Sequence, residues 1–136
     1  MSIEKRVSAG LMLGIALALL AGCVDKSNPD MIDKRSVERW EFLVAHQADK
    51  AYDFLTPGYR ATQTRASYAA SMNNRPVQWT GARFKDKTCD GDRCTVNVDV
   101  RYSIVMPGMA GRKVENENTQ TETWVRVKGE WYFLPN

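Results

Sequence analysis

The chain has 136 residues, of which three are cysteines, and a formal net charge of +3 at pH 7. This length fits one domain rather than several, and so small a basic excess is not the charge pattern of a nucleic-acid-binding protein. The single histidine, His46, excludes metal sites built on several histidines. We interpret it as a polar residue near a helix end, where histidine suits the helix dipole. We expect neither a metal nor a cofactor.

The N-terminal segment has the layout of a secretory signal peptide. Charged residues occupy positions 4–6, an apolar run follows at 11–20, and small residues stand where cleavage would occur. The apolar run is too short for a membrane-spanning helix, which needs about 20 apolar residues. The stretch Leu20-Ala21-Gly22-Cys23 resembles the lipobox of bacterial lipoproteins. The resemblance implies that Cys23 becomes the lipidated first residue of the mature protein.

The same resemblance predicts a protein that faces the periplasm on a lipid anchor. Acyl chains contribute about 0.8 kcal/mol of membrane-binding free energy per buried CH₂, so a multiply acylated cysteine anchors a protein to the membrane without a spanning helix. Val24 follows Cys23 in place of the aspartate that favours inner-membrane retention, and the resemblance therefore favours the outer membrane. We divide the chain into a signal peptide at 1–22, a lipidated tether at 23–35 and a folded domain at 36–136.

Helical periodicity begins the domain. The apolar stripe consists of Val37, Trp40, Val44, Ala48, Ala51 and Leu55, with Leu43 and Tyr52 beside it. It predicts either one helix or two, the second beginning at Asp49 after a turn at 46–48. Ser36 is a candidate N-cap, and a start near Asp30 is the alternative.

Turn residues divide the rest of the helical part. Thr56-Pro57-Gly58 predicts the end of the helical stretch, because proline lacks a donor and glycine tolerates the terminating conformation. A further helix is expected from about Thr64 to Met72, and 73–76 ends it.

From Val77 onward the apolar period becomes two. Residues 95–104 alternate apolar with polar, Thr119–Val127 forms another strand, and Lys128-Gly129 predicts a tight turn into a last strand at 131–134. This turn places Trp124 opposite Phe133, and Arg126 opposite Trp131. Helices followed by antiparallel strands indicate an α+β fold.

Cys89 and Cys94 are the two cysteines that the anchor does not use. A turn at Gly91-Asp92 places them opposite each other on neighbouring strands, which predicts a disulfide in an oxidising compartment. Continued without interruption, the same register turns Phe84 toward solvent. We therefore predict a β-bulge between Phe84 and Cys89, or a longer turn.

Two stretches carry a resemblance to a known superfamily. Residues 51–60, AYDFLTPGYR, and the ending at 122–132, ETWVRVKGEWY, are similar to small bacterial proteins of the nuclear-transport-factor-2-like superfamily. The resemblance implies N-terminal helices packed on a curved antiparallel sheet that forms a cone. Enzymes, ligand binders and assembly modules share this fold, so the fold alone does not determine the activity.

Enzymes on this fold, such as ketosteroid isomerase, place an acid inside the cone. Alternation puts Asp99 on the solvent face, and Asp53 lies off the helical stripe, which leaves Glu122 as the strongest candidate. The sequence shows no partner for Glu122, so we assign no catalytic residue.

The aromatic and methionine residues instead suggest a binding rim. The rim expected for a ligand or partner comprises Tyr59, Tyr102, Met106 and Met109. We predict a noncatalytic lipoprotein that binds another envelope protein or a small apolar ligand. The alternative is a small isomerase-like or dehydratase-like enzyme.

Overall fold

A computed structural model describes residues 27–136. The helices are α1 (Met31–Val44), α2 (Ala48–Ala51), a 3₁₀ turn (Tyr52–Phe54), α3 (Pro57–Thr62) and α4 (Arg65–Asn73), and the strands are β1 (Gln78–Asp90), β2 (Arg93–Val105), β3 (Lys113–Val127) and β4 (Glu130–Leu134). The predicted signal peptide and the predicted lipidation site Cys23 lie outside the described residues. Within residues 27–136, no helix is long and apolar enough to cross a membrane.

The four strands form one antiparallel sheet in the order β1-β2-β3-β4. Helix α1 packs on the sheet mainly through β1, with a few contacts to β2, and we call the covered side of the sheet its inner face. The predicted α+β fold, helices first and an antiparallel sheet after, is confirmed. The core between helices and inner face contains Ile32, Trp40, Leu43, Leu55, Val96, Val98, Val100, Trp124 and Trp131.

Strand β1 contains the predicted bulge. Its register against β2 shifts between Phe84 and Asp86, and a second shift lies between Trp79 and Gly81. The first shift keeps Phe84 opposite Val98 and in contact with the core. Bulges bend the strand that carries them, so both shifts curve β1 around α1.

Cys89 and Cys94 are paired in the β1–β2 register and joined by a disulfide, as predicted. The hairpin turns at Gly91-Asp92, and Gly91 has a φ of 56°, a conformation that favours glycine. Cys94 is completely buried, so the disulfide ties the hairpin end of β1 to the core.

The C-terminal hairpin also has the predicted register. Trp124 pairs with Phe133, their ring centroids 6.2 Å apart, and the Arg126 guanidinium lies 5.5 Å from the ring centroid of Trp131. Lys128 and Gly129 have φ values of 50° and 83°. Two positive φ values in a two-residue turn match the twist of the flanking strands.

Helix α1 begins at the alternative start near Asp30 and not at Ser36. Its N-cap is Asp30, and Ser36 lies inside the helix with its hydroxyl donating to the Asp33 carbonyl at 3.1 Å. Helical structure therefore starts within the segment assigned to the tether. Upstream of the helix, the carbonyl of Ser27 accepts a hydrogen bond from the indole of Trp131 at 2.8 Å.

The buried face of α1 differs from the predicted stripe. The helix ends at Val44, as in the two-helix alternative, and α2 follows with Gln47 rather than Asp49 as its N-cap. The buried residues of α1 are Ile32, Ser36, Arg39, Trp40 and Leu43, whereas Val37 and Val44 are only partly buried. The helix is rotated because Arg39, which the pattern left outside, has a buried carboxylate partner.

Thr56-Pro57-Gly58 is a helix start rather than only an end. Pro57 is the first residue of α3, a position where its missing N–H is not needed. The Thr56 hydroxyl caps the helix by accepting from the Tyr59 N–H at 3.3 Å. The Thr56 N–H donates to the Phe133 carbonyl at 3.0 Å, which attaches this segment to β4.

Candidate functional site

Glu122 lies on the inner face of β3, opposite Val96, and is 3% exposed. Its Oε1 accepts hydrogen bonds from the Arg39 guanidinium and from the Trp40 indole, the latter at 2.6 Å. Its Oε2 accepts one from the Trp124 indole at 2.9 Å. The sequence identified no partner for Glu122, and the structure provides three donors. Arg39 is 83 residues away in the sequence, and no local pattern links the two.

Arg39 is as deeply buried as its partner, with 2% of its surface exposed. Its guanidinium lies 3.9 Å from the ring centroid of Phe133 and 4.9 Å from that of Trp40. Aromatic faces attract cations, more so when water is excluded. The ion pair and these two rings together accommodate a charge in the core, although the Arg39 Nε has no hydrogen-bond partner among the described residues.

Tyr68 of α4 is buried beside this pair. Its hydroxyl has no hydrogen-bond partner in the described part of the chain, and its ring packs on Tyr52 at a centroid distance of 5.8 Å. Burial raises the pKa of Tyr68, while the nearby positive charge of Arg39 partly opposes the increase. Buried polar groups are normally hydrogen-bonded, so this hydroxyl marks an incomplete site.

These groups line a cavity of about 270 Å³, which we call the inner cavity. Its lining consists of Arg39, Trp40, Leu43, Tyr59, Tyr68, Met72, Arg75, Trp79, Gln120, Thr121, Glu122, Phe133, Pro135 and Asn136. Helices α1, α3 and α4 provide one wall and the strands of the sheet provide the other. Glu122 is the only carboxylate side chain in the lining.

A second cavity of about 520 Å³, which we call the aromatic groove, adjoins the first. It is lined by Trp40, Arg75, Pro76, Val77, Trp79, Tyr102, Asn118 and Gln120. The two cavities share four residues, Trp40, Arg75, Trp79 and Gln120. At their junction the rings of Trp40 and Trp79 meet edge to face, with centroids 5.4 Å apart.

The four predicted rim residues do not form one rim. Tyr59 lines the inner cavity and Tyr102 the aromatic groove, whereas Met106 and Met109 line neither. The two methionines lie in the β2–β3 connection, where they are 39% and 50% exposed. Sequence reasoning missed Arg39, because a charged residue in a helix is read as solvated, and Arg75, because it lies in the segment that follows α4.

The two carboxylates that were set aside lie in ion pairs outside the inner cavity. Asp99 is only 9% exposed, whereas the side chain of Asp53 is 57% exposed. Asp99, on the outer face as expected, accepts hydrogen bonds from the Thr119 hydroxyl at 2.6 Å and from the Arg83 guanidinium at 3.0 Å. The Thr119 bond and then Arg83 hold the pKa of Asp99 below its ordinary value. The Arg65 guanidinium does the same for the pKa of Asp53. No group of three or more potential metal ligands occurs within 27–136.

No protein-family model and no curated protein sequence matches the chain. Several solved structures are similar to it, among them the following two. A SEC-C motif-containing protein from Rhodopseudomonas palustris matches at a TM-score of 0.58 and 17% identity, covering 82% of this chain and 79% of its own. A protein described as an NTF2-like transpeptidase from Campylobacter jejuni matches at a TM-score of 0.51 and 11% identity, covering 80% of this chain and 99% of its own. The predicted nuclear-transport-factor-2-like fold is thereby confirmed, and at these identities the likeness concerns the fold alone.

Proposed function

We propose that the chain is a noncatalytic lipoprotein, held at the membrane through Cys23 and facing the periplasm, whose domain binds a partner envelope protein or a small apolar ligand. The binding surface is the aromatic groove. The lipobox resemblance supports the anchor, and Val24 after the cysteine favours the outer membrane.

One observation carries the binding role: a ligand-sized groove adjoins a cavity in which Glu122, the one carboxylate side chain among the described lining residues, is already engaged. Trp40, Trp79 and Tyr102 give the groove three aromatic side chains, and cavities of about 300–1,000 Å³ lined by such residues are typical of ligand sites. A carboxylate has about four acceptor positions, and three donors already occupy Glu122. Glu122 thus holds the fold together and is poorly placed to exchange protons with a substrate.

Site-specific photo-crosslinking in cells tests the binding surface. A benzoylphenylalanine at position 102 lies in the groove, and the same residue at the neighbouring position 101 faces the opposite side of the strand and is the matched control. We expect a discrete adduct from position 102 that Trp79→Ala weakens and that position 101 does not give. The absence of any adduct at 102, or an equal one at 101, would contradict the proposal.

The alternative is an isomerase-like or dehydratase-like enzyme. It is favoured by one observation, that Glu122 and Tyr68 line the same cavity, since an acid and a tyrosine donor are the groups that ketosteroid isomerase uses. The double variant Arg39→Met, Glu122→Gln removes both buried charges and separates the two roles. A binding domain keeps its cellular function in this variant. Loss of function in a folded double variant that still gives the adduct at position 102 would favour the enzyme.

A further inference from the structure

The hydroxyl of Tyr68 is the least satisfied polar group around the inner cavity. Tyr68 is 3% exposed, and its oxygen has no hydrogen-bond partner within residues 27–136. A buried donor without an acceptor costs free energy that a phenylalanine in its place would not. Unsatisfied buried polar groups of this kind are expected at functional or strained sites.

Two arginines affect this hydroxyl. Burial has the largest effect and raises the pKa of Tyr68, whereas Arg39, by its charge and as a potential hydrogen-bond donor, and to a smaller extent Arg75 lower it. Glu122 neutralises Arg39. Arg75 is exposed, lines both cavities and forms no ion pair with a carboxylate side chain in the described part of the chain. The side chains that line the two cavities therefore carry one net positive charge.

Apolar side chains extend from the Arg75 guanidinium into the aromatic groove. The Arg75 guanidinium lies 5.9 Å from the ring centroid of Trp79, which contacts Trp40 in turn. Leu43, Met72 and Phe133 line the inner cavity. Transferring a strongly hydrated dianion such as phosphate into such surroundings is costly. A carboxylate carries a single charge and matches the planar guanidinium in two parallel hydrogen bonds.

We propose that the inner cavity and the aromatic groove together bind a small organic carboxylate, with its oxygens at Tyr68 and Arg75 and its apolar part against Trp79. This inference rests on the proposed binding function and adds the class of ligand. The Tyr68 oxygen is enclosed by neighbouring atoms, so the carboxylate reaches it when lining side chains move.

A pair of probes with the same phenyl group and chain length but different head groups, a carboxylate and an alcohol, tests the proposal. The full chain, reconstituted in phospholipid nanodiscs, is titrated with 4-phenylbutyrate and with 4-phenyl-1-butanol, with empty nanodiscs as the blank. Binding is followed by the fluorescence of the tryptophans that line the cavities. We expect the carboxylate to bind about tenfold more tightly than the alcohol, the size of effect that one charge-assisted hydrogen bond produces.

Three variants separate the contributions. Tyr68→Phe and Arg75→Gln are each expected to bring the ratio of the two affinities close to one, whereas Trp79→Ala weakens both probes equally. Arg112→Gln removes the same charge at the β2–β3 connection, away from both cavities, and is expected to leave the ratio unchanged.

The possible failures of this inference and of the proposed function differ. Equal binding of both probes would overturn the carboxylate inference and leave the binding function standing. Failure of both probes to bind would also overturn the inference, and the groove adduct from position 102 would then decide the binding function by itself. A preference that Tyr68→Phe and Arg75→Gln leave intact would overturn the placement of the oxygens.

Discussion

Replacing Glu122 by glutamine tests whether the buried ion pair holds the helices on the sheet. Both side chains of the pair are 3% exposed, and the variant removes the charge opposite Arg39. Leaving one member of a buried pair uncompensated costs about 3–5 kcal/mol. The amide oxygen of glutamine still accepts one hydrogen bond, so we expect a loss near the lower end of this range.

Urea unfolding followed by tryptophan fluorescence measures the loss. With a slope of about 1.5 kcal/mol per molar urea for a domain of this size, a loss of about 3 kcal/mol lowers the midpoint by about 2 M. Asp53→Asn is the matched control, because it breaks an ion pair with Arg65 in which the side chains are 57% and 47% exposed. Exposed pairs contribute about 0–1 kcal/mol.

The double variant Arg39→Met, Glu122→Gln provides a second comparison. Without the buried cation there is no uncompensated charge, so the double variant should be more stable than Glu122→Gln alone. The reasoning would be refuted if Glu122→Gln lowered stability no more than Asp53→Asn does, or if the double variant were the least stable of the set.

Three further predictions concern the anchor, the disulfide and the unpartnered hydroxyl. Cys23→Ser should abolish acylation, detected by intact mass, and should move the protein out of the membrane fraction; a serine variant that still pellets with membranes would contradict the anchor. Protein recovered from the periplasm should show Cys89 and Cys94 blocked to alkylation until it is reduced, and reduction should lower stability by at most about 2 kcal/mol, because the ring is small; two free thiols before reduction would contradict the disulfide. Tyr68→Phe should be neutral or stabilising by up to about 1 kcal/mol at pH 7. The pKa of this tyrosine is raised above its ordinary value of 10.0 in the folded state. Ionisation of Tyr68 therefore does not affect the free energy of unfolding well below pH 10, and it lowers that free energy as the pH rises through the folded pKa. Urea unfolding at pH 7 and pH 10.5 should therefore show a smaller alkaline loss in the variant than in the natural chain, and equal losses would contradict the burial of the hydroxyl.

The sequence by itself determined the features that depend on neighbouring residues. Alternation and turn chemistry predicted the hairpin that pairs Trp124 with Phe133, and the mismatch of Phe84 with that alternation predicted a bulge. Thr64 caps α4 by accepting from the Ser67 N–H at 3.2 Å. These interactions span a few residues or one tight turn, so the identity of the residues fixes them.

Only the tertiary structure decided which face of α1 is buried and which side chains lie between the helices and the inner face of the sheet. A charged side chain enters a core only where a partner and aromatic surfaces compensate it. For Arg39 the compensation comes from Glu122 and from Phe133, both contributed by strands far along the chain. Helical spacing ranks Val37 above Arg39 as a core residue, and the fold reverses that order because the carboxylate lies on one side of the helix. The inner cavity and the hydroxyl of Tyr68 follow from the same packing.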